Sequence, residues 1–155
     1  MKITFQLLTM KHAAIAQYLR EADKKEIEDM AASVDIKLSE TEAVEYSIRN
    51  TKSGFAAFID GELTAIFGVT KETDESGNIW LLGTDEITKR PLRFYKESKS
   101  IFDVLSKGYD ELYNYVGKKN KTALRWLEWL GFKFEEAGEP FEDFVLVRWT
   151  RPCAP

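Results

Sequence analysis

Two side chains that many enzymes use as nucleophiles, metal ligands or proton carriers are almost missing from this sequence. Its 155 residues contain one cysteine, Cys153, and one histidine, His12. One cysteine forms no disulfide within the chain, and zinc sites built from several cysteines and histidines are excluded. A cysteine–histidine nucleophile requires these two distant residues to meet, and no G-x-S-x-G motif indicates a serine nucleophile. The composition favours binding or direct group transfer, and we expect no metal.

Long hydrophobic runs and a surplus of positive charge are absent as well. No apolar run approaches the roughly 20 residues that a membrane helix requires. Only a short apolar stretch separates Met1-Lys2 from Lys11, so we expect no signal peptide. Lysine and arginine number 22 against 26 aspartates and glutamates, and the net charge of −4 argues against nucleic acid as a partner. Because a low cysteine count suits a reducing compartment, we predict a cytoplasmic protein without membrane contact.

What is present is the composition of one globular domain. Hydrophobic residues make up 44% of the chain and aromatic residues 13%, which is enough bulk for a filled core. No repeat, low-complexity tract or linker rich in proline, glycine and serine divides the sequence. We therefore predict a single domain over residues 1–150, followed by a short C-terminal tail over residues 151–155.

Helical patterns dominate the first third of the chain, after an initial strand. Residues 2–8 have the β-branched and aromatic content of a strand, and Thr9 suits a helix N-cap. Two segments have the form of a capping box, Asp23–Glu26 and Ser39–Glu42, and each predicts the start of a helix. Helices are expected to fill most of residues 10–51.

Alternating patterns then predict a hairpin, and strands and helices follow in turn. Asp60-Gly61 separates residues 54–60 from residues 62–70 and is typical of a tight turn whose residues have positive φ. The remaining elements are predicted as strands 78–84, 113–116, 132–137 and 143–149 and helices 91–109 and 120–130. This order predicts an α+β fold with a mixed, mostly antiparallel sheet and helices on both faces.

The most specific motif is the segment from Asn120 to Phe132, NKTALRWLEWLGF. Asn120, Ala123 and Leu124, with the terminal Gly-Phe, match a spacing common in the GNAT superfamily of acetyl-CoA-dependent N-acetyltransferases. The element order and the hairpin extend this resemblance over nearly the whole chain. It implies a GNAT-like fold, acetyl-CoA as cofactor, an unknown amine as acceptor and a role for Asn120 in cofactor binding.

Residues 79–134 are similar to a narrower group, the small GNAT-like and internal virion proteins of short-tailed bacteriophages. The shared features are Ile79-Trp80, Gly83-Thr84-Asp85, a basic helix, and the segments 112–116 and 125–131. This similarity implies a phage-encoded protein in the host cytoplasm or the virion, with a phage or host protein as partner.

Two departures from the superfamily pattern favour a non-catalytic alternative. The superfamily usually has a Q/R-x-x-G-x-G/A loop after its fourth strand, where backbone N–H groups hold the diphosphate of the cofactor. The corresponding residues 85–96 contain no glycine, and Pro91 lacks a backbone donor. The usual general-acid tyrosine is replaced by Leu127. Two hypotheses therefore stand, an N-acetyltransferase and a non-catalytic virion or host-interaction protein.

Basic residues occur in two groups that the resemblance places near the phosphates of the cofactor. Arg90 and Arg93 belong to the group at residues 89–99, and Lys119 belongs to the group at residues 118–125. With Asn120 they are the candidate cofactor-binding residues, because their cations could replace the missing backbone donors. The alternatives are a solvated helix face and a contact with phage DNA or capsid.

Acidic residues supply the weak catalytic candidates. Asp85 and Glu86 end the predicted fourth strand, where a base or an anchor for the amine could lie, although an interaction with the dipole of a starting helix is the favoured explanation. Five acidic residues between 135 and 143 lack the spacing of an EF-hand and favour a solvated turn. Core packing is the simplest role for Trp126 and Trp129, and a surface or cap position for His12.

Overall fold

Seven strands and five α-helices form the fold of residues 2–153, the part of the chain that the computed structural model describes. A 3₁₀ helix (Met10–Tyr18) follows the first strand. The strands are β1 (Ile3–Leu7), β2 (Thr51–Ile59), β3 (Glu62–Lys71), β4 (Ser76–Gly83), β5 (Glu111–Gly117), β6 (Lys133–Glu136) and β7 (Phe144–Thr150). The α-helices are α1 (Glu21–Ser33), α2 (Glu40–Arg49), α3 (Glu86–Lys89), α4 (Pro91–Leu105) and α5 (Lys121–Trp129).

All seven strands belong to one sheet in the order β1-β2-β3-β4-β5-β7-β6. Only β4 and β5 are parallel, and the other neighbours pair antiparallel. The predicted α+β class with a mixed, mostly antiparallel sheet is therefore confirmed. The parallel pair is short, because Ser76–Asn78 pairs with Glu111–Tyr113 and the two strands form no backbone pairs beyond these residues. The sheet thus has a gap between the C-terminal halves of β4 and β5.

The predicted hairpin is confirmed, and its turn shows why the sequence specifies it. Asp60 has a φ of 49° and Gly61 a φ of 85°, which are the left-handed conformations that Asp-Gly tolerates at low cost. The Asp60 carboxylate also accepts a hydrogen bond from the backbone N–H of Lys2 at 2.8 Å. The turn therefore joins β2 to β3 and fixes the start of β1 beside them.

Helices cover both faces of the sheet, as the sequence predicts. On one face the 3₁₀ helix and α2 bury Ile15, Leu19 and Val44 against the sheet. On the other face α4 and α5 enclose a larger core. In this core the rings of Phe67 and Trp126 pack edge-on, with 5.6 Å between their centroids. The predicted core position of Trp126 is correct, but Trp129, the last residue of α5, is 48% exposed.

One of the two predicted capping boxes is confirmed and the other is wrong. The Ser39 hydroxyl accepts from the Glu42 N–H at 3.1 Å, and the Glu42 carboxylate accepts from the Ser39 N–H at 3.3 Å. Asp23 does not cap a helix, since α1 already begins at Glu21. The polar side chains at Asp23 and Glu26 instead have buried tertiary partners, which are described below.

The helix predicted over residues 91–109 is shorter than expected. It ends at Leu105, because Gly108 has a φ of 88° and turns the chain toward β5. Arg151, the first residue of the predicted tail, donates hydrogen bonds to the carbonyls of Ser106 at 2.5 Å and Tyr109 at 2.9 Å. The last two residues of that tail, 154 and 155, lie outside the described range. None of the helices described has the length and apolar content needed to cross a membrane.

Candidate functional site at the gap between β4 and β5

A small cavity passes through the sheet where β4 and β5 separate. Its volume is about 100 Å³, and its lining includes consecutive β4 residues, Ile79 to Leu82, which alternate between the two faces of the sheet. Asn114 on β5 reaches across the gap and donates to the Ile79 carbonyl at 2.7 Å. The gap is therefore narrow and partly bridged by a protein side chain.

A buried polar network, formed by Arg20, Asp23, Glu26 and Asn120, lies beside this cavity. Arg20 donates to both carboxylate oxygens of Asp23, from Nε at 3.0 Å and from Nη2 at 2.7 Å. Arg20 also donates to the Asn120 Oδ1 at 3.2 Å, and the Asn120 Nδ2 donates to Asp23 at 3.2 Å. Arg20, Asp23 and Asn120 are each at most 3% exposed, so their charges and dipoles are compensated by one another rather than by water.

The network holds the separated ends of β4 and β5 to helix α1. The Gly83 N–H, at the end of β4, donates to the Asp23 carboxylate at 2.8 Å, and the Gly83 carbonyl accepts from the Arg20 N–H at 2.9 Å. The Gly117 N–H, at the end of β5, donates to Glu26 Oε2 at 3.2 Å. Backbone groups of Gly83 and Gly117, at the two strand ends beside the gap, are therefore bonded to α1 and its N-cap residue.

Glu26 is the most unusual titratable group of the network. Burial raises its pKa to about 7, with a further contribution from the Asp23 charge, while hydrogen bonds from Asn120 and Gly117 and the charge of Arg20 oppose the rise. Its Oε2 accepts from Asn120 at 2.7 Å as well as from Gly117, whereas Oε1 accepts no hydrogen bond from the described residues.

Three cavities meet at Glu26. The first is the gap cavity, and the second, of about 270 Å³, lies between α1, α2 and β5. The third, of about 300 Å³, lies at the end of β5 and includes Lys25, Lys119 and Asn120 in its lining. A carboxyl group that is close to half ionised at neutral pH thus lies where a ligand in any of these cavities would reach it.

Comparisons with known proteins identify the fold. No family model matches the chain, and no curated protein does. Among solved structures, an acetyltransferase of the GNAT family from Streptococcus pneumoniae matches at 16% identity and a TM-score of 0.59, covering 96% of this chain and 99% of that one. The chain has the GNAT fold.

Two further structures share this fold and contain coenzyme A. The aminoglycoside acetyltransferase AAC(6')-Ib in complex with coenzyme A matches at 16% identity with a TM-score of 0.62, covering 97% of this chain and 95% of that one. The PaiA N-acetyltransferase from Thermoplasma acidophilum, also in complex with coenzyme A, matches at 18% identity with a TM-score of 0.60. The match covers 97% of this chain and 100% of that one. At these identities the likeness concerns the fold.

The first backbone donors after β4 are already bonded within the protein. The N–H groups of Thr84, Ile87 and Thr88 donate to carbonyls within the protein, at 2.8, 3.2 and 3.1 Å, and the Gly83 N–H is bonded to Asp23. Pro91 has no N–H. The N–H groups of Gly83, Thr84, Ile87 and Thr88 are therefore not open to a diphosphate in the way that those of a glycine-rich loop are.

The position where the superfamily commonly has a tyrosine is filled by Leu127, which lines the gap cavity and is 3% exposed. Its side chain has no proton to donate. Tyr95 on α4 is buried, and its hydroxyl donates to the Thr122 carbonyl at 3.0 Å, so it is already bonded within the core.

The candidate cofactor residues lie at two separate places. Lys119 and Asn120 line the cavity at the end of β5, and Asn120 is bonded within the buried network. Arg90 lines another cavity, beside the β2–β3 turn, that shares no lining residue with it. Arg93 is on α4 and pairs with Glu97 at 3.0 Å. Their role in cofactor binding stays a prediction.

The acidic candidates lie beside the short helix α3. Asp85 precedes α3 without a side-chain cap bond, and Glu86 is its first residue and pairs with Lys89 at 2.6 Å. Of the acidic residues between 135 and 143, Glu135 lies in β6 and pairs with Arg148 at 2.9 Å. Among the described residues no group of three histidine, cysteine or acidic side chains is arranged to hold a metal ion.

Sequence reasoning missed Arg20, Asp23 and Glu26 as site residues. Their spacing of three is a usable signal, because residues three apart lie on one face of a helix and these three carry charge where α1 faces the sheet. What hid the signal was the resemblance of Asp23–Glu26 to a capping box, which offers a local role for the same side chains.

Proposed function

We propose that this GNAT-fold chain is a non-catalytic binding protein. The observation that carries the proposal is the bonding of α1 to both sides of the gap, through Asp23 to Gly83 and through Glu26 to Gly117. A cofactor arm placed between β4 and β5 would compete with these carboxylates for the same backbone donors.

Opening the gap for a cofactor would be costly. A cofactor that took the N–H groups of Gly83 and Gly117 would leave Asp23 and Glu26 each with one hydrogen bond fewer, and a buried acceptor left unsatisfied costs about 1–3 kcal/mol. The gap cavity of about 100 Å³ is small, and the N–H groups of Thr84, Ile87 and Thr88 after β4 are bonded within the protein. These features support binding of a partner over transfer of an acetyl group.

Titration with acetyl-CoA tests this proposal. A ligand present at a hundred times its dissociation constant stabilises a fold by about 2.7 kcal/mol, which a thermal-unfolding experiment detects readily. We expect no shift in the unfolding temperature at millimolar acetyl-CoA with the protein folded. A concentration-dependent rise, together with a calorimetric binding isotherm, would show that the gap opens and would overturn the proposal.

The more specific role, as a bacteriophage virion or host-interaction protein, rests on the sequence similarity of residues 79–134. A phage or host protein would then be the partner, in the host cytoplasm or in the particle. Mass spectrometry of purified particles tests the virion role. Detection of the chain in stoichiometric amount supports it, and absence of the chain from particles would remove it.

An amine N-acetyltransferase is the second candidate. It is favoured by the fold, which two coenzyme A complexes share, and by the start of α4, where Arg90 occupies the N-cap position without a side-chain cap bond and Arg93 lies nearby. Asp85 or Glu86 would then act as base or amine anchor. If acetyl-CoA binds, Asn120→Ala and Arg90→Ala should weaken binding, and unchanged affinity in both variants would place the cofactor elsewhere.

A further inference from the structure

The first strand leaves one edge of the sheet open. β1 pairs with β2 on one side and, among the described residues, with no strand on the other. An open edge presents unpaired N–H and C=O groups, and proteins usually protect it with charged side chains, proline or a β-bulge. The five residues of β1 include no charge and no proline, and their pairing with β2 is regular. β1 is therefore an unprotected edge.

The opposite edge of the same sheet has the usual protection. β6 consists of Lys133, Phe134, Glu135 and Glu136, so most of its side chains are charged, and all of them are exposed. Charges on an edge strand oppose pairing with another chain, because they would lose water or meet a like charge. Of the two edges, β1 is therefore the one suited to a further strand.

The hydrogen bonds of β1 show which backbone groups face outward. The Lys2 carbonyl accepts from the Asp60 N–H at 2.8 Å, and the Leu8 N–H donates to the Gly54 carbonyl at 3.0 Å. In an antiparallel pair, residues bonded to the neighbouring strand alternate with residues that are not. Since the even-numbered residues are bonded to β2, the outward N–H and C=O groups belong to the odd-numbered residues of β1, namely Ile3, Phe5 and Leu7.

We propose that β1 pairs antiparallel with β1 of a second copy of this chain, with Phe5 opposite Phe5 at the twofold axis. The sheet of one copy then continues into the sheet of the other. Because this axis is perpendicular to the sheet, each face continues across the interface, and Ile3 lies opposite Leu7 of the second copy. The proposal concerns a surface that the proposed function does not use, and it stands independently of that function.

This arrangement satisfies every outward backbone group of β1. Phe5 exchanges two hydrogen bonds with Phe5 of the second copy, and Ile3 exchanges two with Leu7 of the second copy at each end of the interface. A twofold axis at Ile3 or at Leu7 would leave the outward groups at the other end of the strand unpaired. The positions of the outward groups therefore specify the axis at Phe5.

The side chains of β1 are also complementary in this pairing. On one face the apolar residues meet, with Phe5 opposite Phe5 and Ile3 opposite Leu7. Leu7 is 72% exposed, the highest value among the large apolar side chains of the described residues, and Ile3 of the second copy would cover it. On the other face Thr4 lies opposite Gln6. Polar residues therefore meet polar residues, and no like charges oppose each other.

The size of the interface sets its strength. Two paired strands of five residues bury less than the roughly 1,200 Å² of total surface that stable complexes usually bury. The Phe5 ring is already held in place by Phe67, with 6.1 Å between their centroids and an edge-on geometry, so little order is lost on pairing. We therefore expect a weak dimer that dissociates on dilution.

Sedimentation equilibrium of the full chain from micromolar to millimolar concentration tests the association, and hydrogen exchange followed by NMR identifies the strand. The outward amides of Ile3, Phe5 and Leu7 should exchange more slowly as the concentration rises. The amides of Thr4 and Gln6, which are already bonded to β2, should change little. A chain that stays monomeric at millimolar concentration overturns the proposal and would leave this edge to an extended peptide of another protein.

Matched charge variants test the register. Thr4 and Gln6 are exposed and lie opposite each other in the proposed pairing. Thr4→Lys with Gln6→Glu should dimerise at least about tenfold more tightly than Thr4→Lys with Gln6→Lys, because opposite charges then face each other twice instead of like charges. The second variant brings the net charge of −4 closer to zero, so general repulsion between copies would give the reverse order. Equal dissociation constants, or the reverse order, would contradict the pairing.

A pair of single variants distinguishes the two edges of the sheet. Leu7→Lys should weaken the dimer at least about tenfold, whereas Phe134→Lys on β6 should leave its dissociation constant unchanged. Both side chains are exposed, so thermal unfolding should show both variants to be folded. Equal loss in the two variants, or loss only in Phe134→Lys, would overturn the assignment to β1. None of these measurements involves acetyl-CoA, so the dimer and the proposed function fail separately.

Discussion

Asn120 shows how one residue can have a structural role that its sequence motif does not reveal. Its Oδ1 accepts from the Ala123 N–H at 3.3 Å and caps α5, while its Nδ2 donates to Asp23 and Glu26 on α1. The motif implied a ligand contact at this position. In the folded chain the same side chain joins the start of α5 to α1 and donates to one buried carboxylate, Asp23, and one partly buried carboxylate, Glu26.

We expect Asn120→Ala to destabilise the fold by about 2–4 kcal/mol, since it removes an N-cap worth about 1 kcal/mol and one hydrogen bond from each of Arg20, Asp23 and Glu26. Urea unfolding measures the change. Asn50→Ala, at an exposed asparagine, is the matched control and should change stability by less than about 0.5 kcal/mol. Similar values for the two variants would contradict the role of the network.

His12 makes the stability of the fold sensitive to acid. Its Nδ1 accepts from the Thr9 N–H at 3.0 Å, its Nε2 is buried without a partner among the described residues, and the ring is 2% exposed. Burial lowers its pKa below 6.5, with a smaller contribution from the Lys11 charge. The neutral ring is therefore the form that the fold accommodates, and the sequence prediction of a cap residue is right while that of a surface residue is wrong.

Because the folded-state pKa of His12 lies below the unfolded value, its contribution to stability is complete above about pH 6.5 and is lost as the pH falls toward the folded-state pKa. Glu26, whose pKa is raised, has the opposite effect, since protonating it favours the fold. We therefore expect Glu26→Gln to lose stability between pH 7 and 5, measured by urea unfolding. The double variant with His12→Asn should lose less over the same interval, and equal losses would contradict the role of His12.

At the scale of elements, α1 is the segment that distinguishes this sheet. The short parallel pairing of β4 and β5 leaves donors free at both strand ends, and α1 bonds to one of them on each side. Helix propensity and the apolar residues of α1 do not require this position. Asp23 and Glu26, on the face of α1 toward the sheet, fix the position of the helix, because their carboxylates would otherwise lack these hydrogen-bond partners.

A double-mutant cycle on Arg20 and Asp23 measures this coupling. We expect Arg20→Ala and Asp23→Ala each to destabilise the fold by about 3–5 kcal/mol, because each leaves the other charge buried. The double variant should be far less destabilised than the sum of the two, since it leaves no uncompensated charge. Lys24 and Glu21 form an exposed pair on the same helix and provide the control cycle, with a coupling of less than about 1 kcal/mol. Additive effects at Arg20 and Asp23 would contradict the proposed link.

At the scale of the whole molecule, the fold was largely predictable because its signals are local. The Asp60-Gly61 turn, the Ser39–Glu42 capping box and the apolar stripe of α5 each depend on residues a few positions apart. The order of the resulting elements then restricts the sheet to few topologies. The short helix α3 was missed, since its four residues carry no apolar period.

The site was much less predictable, because it is built from residues far apart in the chain. Asn120 meets Asp23 across 97 positions, and Gly83 meets Asp23 across 60. A motif describes residues close together along the chain, so it indicated Asn120 but not the partners of its amide. Charge counting indicated two basic groups, and in the structure Arg90 of the first group and Lys119 of the second line separate cavities.

The scarcity of cysteine and histidine, the turn residues and the periodicity by themselves determined the type of chemistry available and the α+β fold, because these depend on residue types and local spacing. Only the tertiary structure decided what occupies the gap in the sheet. Burial forces each charged group to find a partner, and in this chain the partners of the free strand ends are the carboxylates of α1. The same burial makes Glu26 a carboxyl group that titrates near neutral pH, a property that neither its neighbours in sequence nor its residue type indicates.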